Sequence, residues 1–230
     1  MLNTDQFEWL SFDCYGTLVD WESGICDAVS NVLNRHGVHR STRKILAMFS
    51  EIEPKVQARP GYLRYRDVLH EVMQSIAAEL NLAFSDDELG SLAESLPNWP
   101  IFPDVAGALQ TLKERYKLAV ISNVDDDLFA STAKALNVDF DLVVTAQQVQ
   151  SYKPDLRNFN VASAHMKVDK QNWLHVAESL YHDISPANQL GIKSVWVNRP
   201  NRGGGTRPTD AVPDVVVPDL AALTEILCRH

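Results

Sequence analysis

Cysteine is scarce in this chain of 230 residues: Cys14, Cys26 and Cys228 form neither a metal-binding spacing nor an even disulfide set. An excess of positive charge is also missing. Against 30 acids stand 21 lysines and arginines, a formal net charge of -9, so no basic stripe is available to track a phosphate backbone. Nucleic acid is set aside as a partner. No apolar run approaches the roughly 20 residues of a membrane span, and the opening MLNTDQFEWL has neither a basic segment nor a long apolar one. We therefore expect a reduced, cytoplasmic protein that does not cross a bilayer. The Gly- and Arg-rich stretch from Arg199 to Pro208 lacks the strand-loop-helix context and the terminal Lys-Ser/Thr of a phosphate-binding loop. It reads as a flexible surface loop.

What the chain does have is apolar content, 45% of residues, enough for one substantial core and a smaller accessory module. Short apolar runs recur with helical patterns between them: Trp9 to Asp13, Leu118 to Ser122, Leu142 to Thr145, Leu174 to Ala177, Val195 to Val197 and Val215 to Val217. This rhythm predicts an α/β protein built on a doubly wound parallel sheet of Rossmann type. The stretch Asp104 to Leu112 opens behind Pro103 with an N-capping aspartate and predicts a crossover helix. From about Val19 to Trp99 the rhythm breaks into helical patterns without a convincing strand, closed by Pro97, Pro100 and Pro103. The expected organisation is a catalytic core from residues 1–18 and 100–230, with an inserted α-helical cap from 19–99.

Ligand sites in open α/β sheets lie beyond the carboxyl ends of the strands. Four polar clusters fall there: Asp13 to Thr17, Ser122-Asn123, Lys153-Pro154 behind Ser151-Tyr152, and Glu178 to Asp183. Each alone has a plain structural explanation, since a strand-end acid or serine often caps the next helix. Their joint occurrence at successive strand ends points to one site.

In these residues the chain resembles the haloacid dehalogenase-like (HAD) superfamily, whose four motifs match across roughly residues 8–20 and 100–200. The resemblance implies Asp13 as the nucleophile, Ser122 as the second-motif hydroxyl, Lys153 as the third-motif lysine, and Glu178 with Asp183 as the fourth-motif acids. It also implies a helical cap closing over the core. A carboxylate nucleophile divides a difficult hydrolysis into ester formation and ester cleavage. Lys153 would hold Asp13 ionised and orient it. Thr17 would fix the nucleophile's rotamer, and Ser122 with Asn123 would hold a substrate carboxylate or phosphoryl oxygen. Asp183 would activate the water that cleaves the ester.

Superfamily phosphatases carry a second Asp two residues after the nucleophile; here that position is Tyr15. The run Asp-Cys-Tyr-Gly-Thr is similar to the L-2-haloacid dehalogenases, which attack carbon and need no metal. Two departures stand out: the cap stretch Leu46 to Ser50 has no halide-binding Arg, and Phe159 replaces the dehalogenases' Tyr six residues after the lysine. Arg59, Arg64 or Arg66 could substitute only through a differently folded cap. The stretches around Asp13 to Glu22, Asn98 to Pro100, Ser151 to Pro154 and Ala177 to Asp183 also resemble the L-azetidine-2-carboxylate hydrolase branch. There Glu178 would hold a ring ammonium, and no halide-binding Arg is needed.

We therefore expect an aspartyl-ester hydrolase acting on a small anionic or zwitterionic carboxylate, with Tyr15, Trp21, Asn123, Glu178 and Ser179 contacting the substrate and with no cofactor. Two alternatives are a phosphatase holding Mg²⁺ on Asp13, Glu178 and Asp183, and a non-catalytic binding protein of the same fold. Tyr15, Trp21 and Trp99 either line the pocket or pack the hinge, and His182 is either a proton shuttle or structural. Trp196 and Cys14 are expected in the core. The resemblance allows a homodimer.

Overall fold

The computed structural model describes residues 3–200 and 207–228. Six strands form one sheet: β1 (Trp9–Phe12), β2 (Lys117–Ser122), β3 (Leu142–Thr145), β4 (Trp173–Ala177), β5 (Lys193–Val197) and β6 (Val215–Val217). Their order is β3-β2-β1-β4-β5-β6 and every pairing is parallel, as the rhythm of apolar runs predicted. The chain winds outward in one direction from β1 and in the other from β4. The carboxyl ends of β1 and β4 therefore flank the switch point, where such sheets open a crevice.

Side chains of β1 alternate between the two faces. Leu10 and Phe12 join a large apolar cluster, while Trp9 faces a smaller one with Ala119, Ile121, Phe159 and Trp173. Cys14 is fully buried in the larger cluster, as alternation implied.

Four helices are inserted between β1 and β2: α1 (Trp21–Arg35), α2 (Thr42–Gln57), α3 (Tyr65–Glu79) and α4 (Asp86–Ser95). Two of them, α1 and α4, start with a side-chain cap. Asp20 accepts from Ser23 N at the start of α1, and Ser85 and Glu88 form a reciprocal capping box on α4. The chain leaves and re-enters the sheet region side by side. Val19 bridges Ile101, Asp20 N donates to Pro100 O at 2.7 Å, and Phe102 N donates to Leu18 O at 3.1 Å.

Among the described residues, seven further helical segments longer than a single 3-10 turn follow: α5 (Val105–Lys113), α6 (Asp126–Leu136), α7 (Ala146–Val149), α8 (Arg157–Met166), a π-turn (Leu180–Ile184), α9 (Ser185–Leu190) and α10 (Leu220–Leu227). Among the described residues no helix is long and apolar enough to cross a membrane.

Three expectations need correction. Asp104 does not cap α5 with its side chain. Its carboxylate is instead taken by Arg199, at 2.9 Å, and by Leu220 N, at 2.8 Å. Arg199 itself is no surface-loop residue: it is 8% exposed, lies over the Phe102 ring and donates to Thr17 O. Most of the remaining segment expected to be a surface loop, residues 201–206, lies outside the described residues. Trp196 is half-buried rather than core, because its indole N–H reaches out to Glu178 O at 2.8 Å.

Gly24 shows how tightly α1 meets the re-entry segment. A Cβ there would sit 2.3 Å from the Trp99 ring, whose indole is already tied to Ser95 Oγ. Gly24→Ala is expected to lower stability by about 1–3 kcal/mol through overpacking, despite the better helix propensity of alanine. Urea unfolding checks this; a variant as stable as wild type would show that Trp99 can yield.

Candidate active site

A cavity of about 340 Å³ opens beyond the carboxyl ends of the central strands. The sheet side supplies Asp13, Ser122 and Asp183, and the helical insertion supplies Trp21, Phe49 and Glu53. Asp13 follows β1 directly, so the end of a buried strand fixes its backbone.

Lys153 is the centre of the site. Fully buried, its ammonium donates to Asp13 Oδ1 at 2.8 Å, Asp183 Oδ1 at 2.6 Å and Ile121 O at 2.7 Å. The three donor positions of an ammonium are thus used. Burial alone would lower the lysine's pKa, but the two carboxylates reverse this and hold it above its ordinary value. Burial pushes Asp13 above the usual carboxylate range, with Lys153 opposing and Asp183 adding to the rise. For Asp183 burial also acts upward, but Lys153 and His175 outweigh it and the carboxyl is lowered.

Thr17 lies directly against Asp13. Its hydroxyl donates to Asp13 Oδ2 at 2.8 Å and accepts Glu178 N at 2.9 Å, tying the Asp13 loop to the end of β4. Between them Gly16, at φ +104°, leaves no room for a side chain: a Cβ would lie 3.1 Å from the Trp21 indole nitrogen and 3.2 Å from Glu178 Oε2.

Two buried polar atoms here have no partner among the described residues, Ser122 Oγ and Asp183 Oδ2. Both residues line the cavity. Unsatisfied buried groups are unfavourable by about 1–3 kcal/mol each, so their presence together marks where a bound molecule or water completes the site.

The structure reassigns several expected contacts. Asn123 lines the cavity, but its side-chain amide is spent on the backbone of Lys153, accepting from its N at 2.7 Å and donating to its O at 3.1 Å. It positions the lysine rather than presenting a free amide to substrate. The Tyr15 hydroxyl pairs with Thr132 Oγ1 at 3.0 Å, leaving its ring, which meets Trp99 edge-on, to the cavity wall. Ser179 Oγ accepts His182 N and pairs with His182 Nδ1. Burial drives His182 down to about 4, which keeps the ring neutral at physiological pH.

Sequence reasoning missed two charged lining residues. Arg59, Arg64 and Arg66 are engaged with Glu71, Asp125 and Asp127 and none lines the cavity; Arg207 does, with its guanidinium over the Tyr181 ring. Glu53, an α2 acid indistinguishable in sequence from a surface one, also lines it. Burial raises Glu53 to about 7, opposed by Arg207. Glu178 too is raised to about 7, by burial first and then by repulsion from Asp13, Glu22 and Asp183.

A stability prediction follows. A carboxyl whose folded pKa lies above its unfolded value binds more protons when folded, so stability falls as pH rises through the interval. For Glu53 and Glu178 that interval runs from about 4.5 to about 7. Both touch a solvent-accessible cavity, so each Glu→Gln change should recover roughly 1–2 kcal/mol at pH 8 and little at pH 4.5. Urea midpoints at the two pH values test this. Equal changes at both would refute it.

The donor set for Mg²⁺ does not assemble here. Lys153 occupies the space between Asp13 and Asp183, and among the described residues no three His, Cys, Asp or Glu side chains converge on a possible cation position.

Residues 10–197 match the model of the haloacid dehalogenase-like hydrolase family. An (S)-2-haloacid dehalogenase of Pseudomonas fluorescens is 28% identical over 221 residues, covering 94% of both chains. Among solved structures, an L-2-haloacid dehalogenase of Xanthobacter autotrophicus with chloropropionic acid covalently bound superposes with a TM-score of 0.81 at 20% identity, over 96% of this chain and 98% of that one. A magnesium-bound HAD-hydrolase of Bacillus subtilis gives 0.81 at 15% identity, over 97% and 99%. At these identities the structural likenesses establish the fold alone.

Proposed function

The chain belongs to the haloacid dehalogenase-like hydrolases, and from that membership we propose that it hydrolyses a small 2-substituted carboxylic acid through an ester on Asp13. The observation that carries this reading is the Lys153 ammonium shared between Asp13 and Asp183, beside the unpartnered Ser122 Oγ and Asp183 Oδ2.

The substrate carboxylate lies at the Ser122 hydroxyl, which presents C2 to Asp13. An Asp13 oxygen forms a bond to C2 as the bond to the leaving group breaks, and that group takes the electron pair. Water then gives a proton to Asp183 Oδ2 and attacks Asp13 Cγ. The Asp13 Cγ–O bond to the substrate breaks, the released alkoxide takes up that proton from Asp183, and Asp13, now carrying one oxygen from water, loses the second water proton to solvent and returns to the carboxylate. Net consumption is one water per turnover.

Leaving-group recognition is assigned to Glu178 and Arg207. Glu178, beside the Trp21 indole, accepts from a ring ammonium such as that of azetidine-2-carboxylate, while Arg207 offers a cation to a departing halide. Loss of phosphatase support comes from Tyr15 at the leaving-group acid position and from the unassembled cation site.

The test supplies the enzyme with (S)-2-chloropropionate and with L-azetidine-2-carboxylate, follows chloride and hydroxy-acid release, and repeats one turnover in H₂¹⁸O. The expected result is turnover of one or both, abolished in Asp13→Asn, with the first label appearing in Asp13. No turnover of either, together with Mg²⁺-dependent phosphate release from an aryl phosphate, would overturn the reading.

A further inference from the structure

The sheet face beneath α8 is apolar, formed by Trp9, Ala119, Ile121 and Trp173 and covered by Phe159 of α8, and two polar residues interrupt it. Ser11 and His175 are both fully buried and stand opposite each other in the β1–β4 register. Buried polar pairs in such a layer are informative where apolar exposure is not.

Their hydrogen bonds form a line to the active site. Trp173 Nε1 lies 2.6 Å from Ser11 Oγ, Ser11 Oγ 2.7 Å from His175 Nδ1, and His175 Nε2 3.0 Å from Asp183 Oδ1. An indole N–H can only donate, so Ser11 accepts it; the ionised Asp183 carboxylate can only accept, so His175 Nε2 donates, and in the neutral ring Nδ1 is left to accept the Ser11 proton. The imidazole hydrogen then sits on Nε2 and is given to the carboxylate. Phe159 meets the His175 ring edge-on at 4.9 Å, fixing its plane.

The line has a consequence at Asp183. His175 and Lys153 both donate to Oδ1, and Oδ2 has no partner among the described residues. One donor would fix the distance to the carboxylate but let it turn about its own axis; two donors from different directions fix the plane as well. We propose that His175 is a positioning residue for ester cleavage: it holds Asp183 so that Oδ2 receives the proton of the water attacking Asp13 Cγ. It touches neither substrate nor the reacting atoms, and the proposal rests on the two-step hydrolysis above.

The experiment compares wild type, His175→Phe, His175→Gln and Ser11→Ala by rapid quench and intact-mass analysis with whichever 2-substituted acid is turned over. Ester formation should stay within about threefold of wild type in all. Cleavage in His175→Phe should slow by roughly ten- to a hundredfold, part of the 10²–10⁴ that a general base supplies. The ester should then accumulate, with kcat and KM falling together. His175→Gln keeps an N–H near the Nε2 position and should return cleavage to within about fivefold. Ser11→Ala should fall between. Equal slowing of both half-reactions, or a Gln variant as slow as Phe, would reduce His175 to a structural role and overturn the proposal. Histidine ¹⁵N spectra of the substrate-free enzyme test the arrangement without any reaction. A hydrogen on Nε2 is expected, and one on Nδ1 with Nε2 bare overturns the proposal whatever the substrate. Wild type that forms no ester with any acid would sink the hydrolysis reading and this role with it, whereas ester formation with an unaffected Phe variant sinks this role alone.

Discussion

Lys153→Met is expected to lower turnover by at least about a thousandfold, in line with the loss of a preorganised charge at a reacting centre, and to reduce stability by about 3–5 kcal/mol. Methionine fills much of the same space but leaves Asp13 and Asp183 facing a common point without the cation that both now contact. Two buried carboxylates so placed cannot both stay ionised, so the pair takes up a proton and its titration moves upward. A protonated Asp13 is no nucleophile. The sign with pH is fixed by the same argument. In wild type the lowered Asp183 carboxyl contributes stability that is present above its unfolded value, near 3.9, and lost as pH falls through the folded one. In the variant the pair's raised pKa makes stability fall as pH rises toward neutrality. The deficit measured by urea unfolding should therefore be larger at pH 8 than at pH 5. A deficit independent of pH, or turnover within tenfold of wild type, would show that the ammonium is not the element holding the two acids.

How much of this was legible in the sequence depends on the range of the interaction. Asp13 and Ser122 could be found because strand periodicity marks where β1 and β2 end, whereas Lys153, beyond β3 and α7, and Asp183, in the turn after β4, were reached through the family resemblance. Asn123 was found but misread. Its partners are backbone atoms of Lys153, which no spacing reveals. His175 was hidden inside an apolar run, where one polar residue looks like an ordinary strand position; only the register opposite Ser11 exposes the line to Asp183. Glu53 sits on an amphipathic helix, and which turn of that helix faces the cavity depends on how the insertion packs over the sheet. Arg207 belongs to a segment whose composition reads as solvated loop. The local rules thus reached the proposed catalytic groups at the strand ends and missed those brought in by packing.

A buried contact between the helical insertion and the rest of the molecule concerns Asp125, and its removal is expected to lower stability by about 2–4 kcal/mol. In sequence Asp125, Asp126 and Asp127 look like a solvated acidic run, yet Asp125 is completely buried. It stands at the N-cap position of α6 without capping that helix. Its carboxylate reaches across to α3, accepting Tyr65 N at 3.0 Å and Arg66 N at 2.9 Å, which are orphan donors at the positive end of the helix dipole. Tyr152 adds a hydrogen bond to Leu63 O at 2.8 Å, and Arg64 and Arg66 pair with Asp127 at the exposed rim. Asp125→Ala strips two buried N–H groups of their acceptor at once, whereas Asp125→Asn retains one carbonyl oxygen and should cost about 1–2 kcal/mol. Asp127→Ala removes only an exposed pair and should change stability by less than about 1 kcal/mol. At this chain length the Asp125→Ala melting temperature should drop by roughly 5–12 °C. The loop carrying Asp125 begins with Ser122 and Asn123, so loosening it should also raise KM with little change in kcat for molecules that do close. If Asp125→Ala melts like wild type, α3 is held by its apolar face alone. If it melts early but keeps its KM, the anchor stabilises the fold without setting the geometry of the cavity.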